Sequence, residues 1–450
     1  MSHAAPTASA RPTLWQAAMA AVALSLLFGA VYSATNWLAS LRPAVPSVYF
    51  EWERRIPFVP LFIVPYMLID VFFFAAPFLC RTRLELRTLG RRLAAATLIA
   101  GVAFLLMPLR FAFERPHADG WLGALFDSFR AMDRPFNEFP SLHIAYGTIL
   151  ASFYRRRFGH PLAALLVIWF SLVRISAVLT YQHHLVDVAG GFLLAALCMH
   201  LFQDRPLRRG MTANPRIGLY YLAGALACVA GVPLAWPWTL ILLWPAVSLS
   251  LMAAACFWLG PGLYRKQDGR IPFTAKLLLW PILLGQRLSL VWYAREGNPW
   301  DRLTSRLWIG RVLTDVEARR VHDAGVTAVL DLTAEFAAPA PFLSGAVEYH
   351  NTPILDLTAP TEEQLDRAVA FIRTHTESGI VFLHCKIGYS RTAAVAGAYL
   401  LSTAAARTAE DAAAMLGAAR PGIVIRPEAM RAIDGYAARL SALRSGAAPA

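Results

Sequence analysis

Charged residues are scarce in this 450-residue chain. They make up 16% of it, against about 25% in an ordinary soluble protein, while 57% of the residues are hydrophobic and the mean hydropathy is +0.46. This composition excludes a uniformly water-soluble chain. Residues 1–300 hold 27 Lys and Arg against 13 Asp and Glu, whereas residues 301–450 hold 15 against 16. The contrast predicts a basic membrane region followed by a soluble domain.

Cysteine is also scarce. Of five cysteines only Cys385 follows residue 300, and the others lie in or beside apolar segments without metal-ligand spacing. A lone cysteine cannot form a disulfide within its own domain, which favours a reducing compartment. The cysteines thus indicate no metal site, and we also expect no cofactor.

Long apolar runs predict eight membrane spans. They cover residues 14–34, 57–80, 93–109, 141–154, 161–180, 185–202, 217–234 and 239–260. Arginine and lysine cluster after every second span, at residues 81–92, 155–157, 205–209 and 265–270. The positive-inside rule then places both ends of the chain in the cytoplasm. Short basic clusters of this kind favour membrane loops over a nucleic-acid-binding surface. Residues 271–293 are interpreted as an amphipathic segment on the membrane surface, although a ninth span there would place the soluble domain outside.

From residue 303 onward, short strand-like runs alternate with helical ones, which predicts a compact α/β domain. The apolar segment 379–385 predicts a strand that ends at Cys385, followed by a loop and a helix start. Backbone N–H groups of such a loop, together with the helix N-terminus, bind anions and favour the Cys385 thiolate. Arg391 supplies a planar fork for two phosphate oxygens, and Gly388 gives the loop backbone freedom.

The segment HCKIGYSRT, residues 384–392, resembles the HCxxGxxR(S/T) signature of the dual-specificity branch of the protein tyrosine phosphatase superfamily. The resemblance implies a phosphocysteine at Cys385, a phosphate clamp at Arg391 and a hydroxyl at Thr392 that assists the leaving thiolate. It also implies that His384 tunes the cysteine. The loop residues implied to bind phosphate are Lys386, Ile387, Gly388, Tyr389 and Ser390.

The same resemblance requires a general acid upstream of the loop. Asp356, in NTPILDLTAPT, fits that place, and Asp331 is the rival. Asp331 is better interpreted as a polar residue at a strand end. Arg420 and Pro421 are implied to support the phosphate loop.

A second group of polar residues lies at the ends of apolar segments in the membrane region. It includes Ser141 and His143, in FPSLH, and His183 and Asp187, which are four residues apart on one helical face. Asp187 could hold one tautomer of His183 and leave the other nitrogen free to attack, while His143 protonates a leaving oxygen. The alternative is that these side chains only cap membrane helices.

PSLH and HxxxD resemble two motifs of the PAP2 lipid phosphatases. The resemblance implies a phosphohistidine at His183, and substrate contacts from Ser141 and from Arg110 and Arg115, which approximate a further motif. Ala177 stands where the family has an arginine, and Arg174 lies three residues further upstream. The pattern is more similar to the branch with inositol phosphorylceramide synthases, so hydrolysis and head-group transfer are both open.

As a whole, the chain resembles bacterial inner-membrane proteins that fuse a PAP2 domain to a dual-specificity phosphatase. The fold class expected is an all-α multi-span membrane domain of about eight helices followed by an α/β domain. The expected parts are 1–92, membrane helices; 93–202, a PAP2-like core; 203–262, further helices; 263–302, a basic amphipathic linker; 303–443, the phosphatase domain; and 444–450, a tail.

The resemblance implies a phosphatase acting on phospholipids or lipid phosphates. The alternatives are a head-group transferase coupled to a phosphatase, a phosphoprotein phosphatase, and a non-catalytic sensor of phosphorylated ligands. The expected partners are membrane lipids and a phosphorylated lipid or protein, without nucleic acid. The basic segment before the soluble domain favours a lipid.

Overall fold

The computed structural model describes residues 10–132, 134–204, 214–236, 238–295 and 297–445. These residues form two compact units, one up to residue 204 and one from residue 214 onward. The predicted arginine cluster at 205–209 and nearly all of the predicted tail lie outside the described residues.

The first unit is helical. Its helices are α1 Leu14–Ser40, α2 Ile63–Ala75, α3 Arg83–Leu106, α4 Gly120–Met132, α5 Leu142–Arg157, α6 His160–Leu179 and α7 Leu185–Leu201. Three of these helices have an N-cap residue with a hydroxyl side chain, which accepts a hydrogen bond from an N–H of the first turn. The caps are Thr13 before α1, Thr82 before α3 and Ser141 before α5. Apolar side chains from α1, α2, α3, α5, α6 and α7 form its main core, including Leu93, Ile149 and Phe170, which are fully buried.

Among the described residues, six helical segments are long and apolar enough to cross a bilayer by length and composition. They are Leu14–Ser40, Pro60–Leu79, Arg83–Leu106, His160–Leu179, Pro215–Ala235 and Trp238–Tyr264. The other two predicted spans correspond to shorter helices, α7 with 17 residues and α5 with 16. A helical region with several apolar helices is therefore confirmed, and the number of eight spans stays a prediction.

The second unit begins with four helices, α8 Pro215–Gly231, α9 Leu243–Ala254, α10 Phe273–Leu278 and α11 Trp280–Tyr293. Helices α10 and α11 occupy the segment predicted to lie on the membrane surface. Trp280, Leu284 and Leu288 recur at four-residue spacing on α11 and are exposed, whereas Gln286 is buried. This helix therefore presents an apolar stripe on one side and a polar contact on the other.

The rest of the second unit is an α/β domain. Its strands are β1 Trp300–Arg302, β2 Leu307–Gly310, β3 Val326–Thr333, β4 Glu348–Ile354 and β5 Ile380–His384. Its helices are α12 Asp315–Asp323, α13 Glu362–Thr376, α14 Ser390–Ser402, α15 Ala409–Ala419 and α16 Pro427–Ser445. The sheet order is β1-β2-β5-β3-β4, in which β1 runs antiparallel to β2 and the other neighbours are parallel.

The predicted α/β domain is confirmed, including the strands β2, β3 and β5 and the helices α12 to α15. Strand β4 escaped prediction because its sequence, EYHNTPI, is mostly polar, as an edge strand allows. Strand β5 is central and buried, and its last residue, His384, lies in register with Gly310 and Asp331. Cys385 therefore emerges at the carboxyl edge of the sheet, where the loops after β2 and β3 also lie.

Candidate active site

The loop after β5 is built for close backbone packing. It runs from Cys385 to Tyr389, where α14 begins, and Cys385 is buried. Gly388 has a φ of 76°, and a Cβ there would lie 2.7 Å from the carbonyl of Gly310. Only glycine fits this position. The carbonyl of Lys386 accepts a hydrogen bond from the N–H of Val312 at 3.1 Å, so the loop is fixed against the segment after β2.

Arg391 is held in one orientation. Its two terminal nitrogens donate to the two carboxylate oxygens of Glu335, at 3.2 and 2.6 Å, and one also donates to the Ile354 carbonyl at 2.9 Å. Burial would lower the pKa of Arg391, but the carboxylates of Glu335 and Asp356 raise it well above its ordinary value. The guanidinium is therefore fixed and charged at the start of α14, as a phosphate-binding fork requires.

Glu335 was missed in the sequence. It lies two residues beyond β3 and is 3% exposed. The available signal was an acidic residue placed just after a buried strand, at the sheet edge that also carries Cys385 and Arg391. A carboxylate buried there needs a cationic partner, and Arg391 is that partner.

Asp356 lies two residues beyond β4 and contacts the phosphate loop. One carboxylate oxygen accepts from Lys386 Nζ at 2.7 Å, and the other accepts from Arg391 at 3.2 Å. Burial would raise the pKa of Asp356, but the positive charges of Arg391 and Lys386 lower it below its usual range. The structure thus brings Asp356, Lys386 and Arg391 together.

Asp331, the rival acid, is engaged in structural bonds. Its oxygens accept from Lys266 Nζ at 2.6 Å, from the Tyr349 hydroxyl at 2.7 Å and from the Thr333 N–H at 2.7 Å. Burial would raise the pKa of Asp331, but Lys266, His384 and these hydrogen bonds lower it to about 2. This geometry favours the interpretation of Asp331 as a strand-end residue.

His384 lies directly before the nucleophile, at the buried end of β5. Burial lowers its pKa, and the nearby Asp331 carboxylate, 3.9 Å from Nε2, only partly offsets this. The ring also stacks on Phe382, with ring centroids 5.2 Å apart.

Three further residues of the signature segment differ in their contacts. Thr392 is fully buried, and its hydroxyl has no hydrogen-bond partner among the described residues. Ser390 instead bonds outward, donating to the Val424 carbonyl at 2.9 Å and accepting from the Arg426 N–H. The carbonyl of Ile387 accepts from Arg420 at 3.1 Å.

Two helices that precede the α/β domain also reach the site. Gln286 of α11 accepts a hydrogen bond from Lys386 Nζ at 2.9 Å. Asn214, which caps α8, donates to the carbonyl of Leu357, next to Asp356, at 2.8 Å. The rings of Tyr389 and Tyr293 pack edge to face, with centroids 6.5 Å apart.

In the first unit, the two polar motifs meet. The N–H of Ser141 donates to the carbonyl of Asp187 at 3.1 Å. Nδ1 of His183 lies 3.0 Å from a carboxylate oxygen of Glu138 and 3.8 Å from one of Asp187. Asp187 also accepts from the His184 N–H at 2.9 Å and so caps α7. Glu138, directly before FPSLH, is therefore the nearer carboxylate and was missed in the sequence.

The other predicted residues of this cluster are placed differently. His143 Nε2 lies 3.1 Å from the Val173 carbonyl, and its ring stacks on Tyr66 with centroids 4.0 Å apart. The Ser141 hydroxyl caps α5. Arg115 donates to the Tyr181 carbonyl at 2.9 Å, two residues before His183, whereas Arg110 is exposed and is assigned to the cluster by sequence alone.

Glu138, His183 and Asp187 also form a set of possible metal ligands. Their ligand atoms all lie within 4.8 Å of one another, and all three side chains are buried. The set combines two carboxylates with one imidazole, which are donors that suit several divalent cations.

Comparison with known proteins identifies the C-terminal domain. The family model described as dual specificity phosphatase, catalytic domain, matches residues 307–438. The chain thus carries a dual-specificity phosphatase catalytic domain at its C-terminus, as predicted. The PAP2 resemblance of the first unit and a bacterial origin stay predictions.

Curated relatives match parts of the chain. Dual specificity protein phosphatase 12 of Mus musculus is 34% identical over 99 residues, which cover 22% of this chain and 29% of that protein. Phosphatidylglycerophosphatase and protein-tyrosine phosphatase 1 of Rattus norvegicus is 27% identical over 203 residues, which cover 42% of this chain and 97% of that protein. The chain thus spans under a third of the length of the first of these relatives.

Solved structures match about a third of the chain. Tk-PTP in the active form is 26% identical with a TM-score of 0.30, and the match covers 31% of this chain and 97% of that one. PTPMT1 in complex with PI(5)P is 22% identical with a TM-score of 0.31, and the match covers 33% and 99%.

Proposed function

We propose that this chain is a membrane phosphatase that hydrolyses phosphate monoesters through a phosphocysteine at Cys385. The observation that carries the proposal is the placement of Arg391. Its guanidinium is fixed by Glu335 and bonds the carboxylate of Asp356, at the end of the loop that presents Cys385. The proposed phosphate binder and the proposed proton donor thus contact each other beside the loop that begins at Cys385.

The reaction takes two steps. In the first, Cys385 Sγ attacks phosphorus, the bond to the leaving oxygen breaks, and Asp356 gives that oxygen a proton. In the second, water attacks the phosphocysteine, Asp356 accepts a proton from the water, and phosphate leaves with the thiolate restored. The Thr392 hydroxyl donates a hydrogen bond to the departing sulfur. The loop of residues 386–390 and Arg391 hold the phosphate oxygens throughout.

We propose a lipid phosphate as the substrate. Apolar helices precede the domain in the same chain, and the segment before it carries exposed cationic side chains at Lys276, Arg287 and Arg295. Exposed aromatic and cationic residues together suit the surface of an anionic bilayer. One relative is named phosphatidylglycerophosphatase and protein-tyrosine phosphatase 1, a name that includes a lipid phosphate as well as a protein, so it agrees with this choice without deciding it.

Phosphate release from lipid-phosphate vesicles tests the proposal. In a His183→Ala background, which removes the second phosphate site proposed below, Cys385→Ser is expected to lower release to the background rate, because serine is a far weaker nucleophile in this loop. Cys228→Ser is the matched control, since Cys228 is a free cysteine in the α8 helix. Unchanged turnover of lipid phosphates and of phosphopeptides by Cys385→Ser would contradict the proposal. A loss for phosphopeptides alone would make the protein a phosphoprotein phosphatase.

We further propose a second phosphate site in the first unit. Glu138 lies against Nδ1 of His183, which leaves Nε2 as the attacking atom. His183 would form a phosphohistidine, His143 would protonate the leaving oxygen, and Asp187 would fix the helix start beside them. Attack by water gives hydrolysis, whereas attack by a lipid hydroxyl gives head-group transfer.

Product analysis separates these outcomes. His183→Ala is expected to abolish the product of the second site, and His160→Ala, at the exposed start of α6, is the control. Loss of a diester product while phosphate release persists would indicate a transferase. Unchanged products would contradict the second site. Unchanged turnover in both His183→Ala and Cys385→Ser would leave a non-catalytic sensor of phosphorylated ligands.

We place the protein in a bacterial inner membrane as a multi-pass protein, with the phosphatase domain in the cytoplasm. The support is the distribution of arginine clusters and the free thiol of Cys385. Protease digestion of sealed right-side-out and inverted vesicles tests the assignment. Cleavage of the domain only in inverted vesicles is expected.

A further inference from the structure

We propose that Gln286 of α11 is a positioning residue for the phosphatase reaction, because it shares Lys386 with Asp356 and thereby controls proton transfer by Asp356. The proposal rests on the role of Asp356 as general acid, given above. It also means that the catalytic machinery extends beyond the matched domain at residues 307–438.

The geometry is a chain of three side chains. Lys386 Nζ lies between Gln286 Oε1, at 2.9 Å, and Asp356 Oδ2, at 2.7 Å. Gln286 is 8% exposed, and the side chains of Lys386 and Asp356 are 12% and 18% exposed. Water therefore screens these contacts poorly, and a change of charge at Gln286 acts strongly on Asp356.

The charges around Asp356 make this control possible. Arg391 faces it at 3.2 Å, and the charge of Arg391 is balanced by Glu335. Among the described residues, Tyr221 of α8 and Tyr264 also lie close enough to interact electrostatically with the charge of Asp356. Lys386 is thus the cation near Asp356 whose other contact is an uncharged amide.

The uncharged amide of Gln286 affects how readily Asp356 is protonated. Asp356 can donate a proton only in its carboxylic acid form, and a cation paired with it favours the carboxylate. Gln286 draws Lys386 partly away without adding charge. A carboxylate at position 286 would draw Lys386 further and repel a charged Asp356, whereas an apolar side chain would leave Lys386 to Asp356.

The position of Gln286 depends on α11. The helix buries Gln286 on one side and exposes Trp280, Leu284 and Leu288 on the other. An apolar stripe with neighbouring cations such as Arg287 fits a lipid surface. Lipid contact would therefore hold the helix that carries Gln286 against the phosphate loop.

Two substitutions with opposite expected effects test the proposal in the full chain. The assay measures kcat as a function of pH with an aryl phosphate that has a poor leaving group. Gln286→Glu is expected to shift the basic limb of this pH profile to higher pH, by about one unit. Gln286→Met, which is nearly isosteric, is expected to shift it to lower pH. Gln267→Glu makes the same charge change at an exposed position and is expected to leave the profile unchanged.

Further variants separate this inference from the proposed function. Turnover of a substrate with a good leaving group, which needs little proton donation, shows that each variant is folded. In Lys386→Met, the shift caused by Gln286→Glu is expected to shrink. Asp356→Asn should slow poor leaving groups selectively. If it does, and both Gln286 variants keep the wild-type profile or shift it in the same direction, only the inference is overturned. If Asp356→Asn shows no such selectivity, the acid role and the inference both fail.

Discussion

Glu335 offers the sharpest test of the active-site geometry outside the residues of the signature. The change is Glu335→Ala, which removes both oxygens that receive Arg391 at 3.2 and 2.6 Å. Both side chains are almost fully buried, so the variant leaves a guanidinium in the interior without its main counter-charge. Breaking a buried ion pair in this way costs about 3–5 kcal/mol of unfolding free energy.

The catalytic loss follows from the same change. Arg391 is then free to pair more closely with Asp356, which moves the phosphate fork and pins the proposed acid as a carboxylate. A displacement of about 1 Å in a positioning group can cost 10²-fold, so kcat/KM is expected to fall by about that factor. Glu335→Gln keeps one acceptor oxygen without the charge and is expected to fall between wild type and Glu335→Ala.

Initial rates with an aryl phosphate, together with denaturant unfolding of the full chain, measure both effects. Glu363→Ala is the control, because Glu363 pairs with Arg367 on an exposed surface, where ion pairs contribute little. The reasoning would be refuted if Glu335→Ala kept wild-type stability and wild-type kcat/KM. It would also be refuted if Glu335→Gln were as damaged as Glu335→Ala in both.

Two further predictions concern the phosphate loop and the segment before the domain. Gly388→Ala is expected to reduce kcat/KM at least 10²-fold, since its φ is 76° and the new Cβ would meet Gly310 at 2.7 Å; Gly417→Ala, with open space around it, is the control in the same assay. Lys266→Met is expected to destabilise the domain by about 3–5 kcal/mol, because it strips a buried Asp331 of its cation. The pKa of Asp331 is lowered to about 2, so its stabilising effect is present above pH of about 4 and is lost as the pH falls toward 2; in Lys266→Met, acid unfolding should begin at higher pH.

The sequence predicted the parts of the fold that periodicity and turn chemistry determine. Strand β5, the phosphate loop and α14 were predicted because an apolar run, a glycine and a helix follow one another within a few residues. Strand β4 was not predicted, because an edge strand can carry polar residues on both faces. Missing β4 affects only one edge of the sheet. The position of Asp356 nevertheless depends on β4, because that residue follows the end of the strand.

Contacts between distant segments account for most of what was missed. Glu335, Gln286 and Glu138 are polar residues without a motif of their own, and each acquires its role from a partner elsewhere in the chain. Lys266 is the opposite case, a residue that the sequence assigned to a segment but whose structural role came from a distant partner. It was counted within a basic surface linker, yet its side chain is 1% exposed and completes the hydrogen bonds of Asp331.

Arg420 shows that the folded phosphatase domain begins upstream of the region that matches the family. The residue follows α15, and its guanidinium bonds to Asp301 in β1, to the carbonyl of Asn298 and to the carbonyl of Ile387 in the phosphate loop. A fragment cut at residue 307, where similarity to the family starts, would lose the first two partners and keep the third. It would retain every signature residue and still carry a poorly supported loop. An excised enzyme intended for crystals or screening should therefore start upstream of Lys266, because Lys266, Gln286 and Asn298 all contact the phosphatase site or its supporting residues from outside residues 307–438.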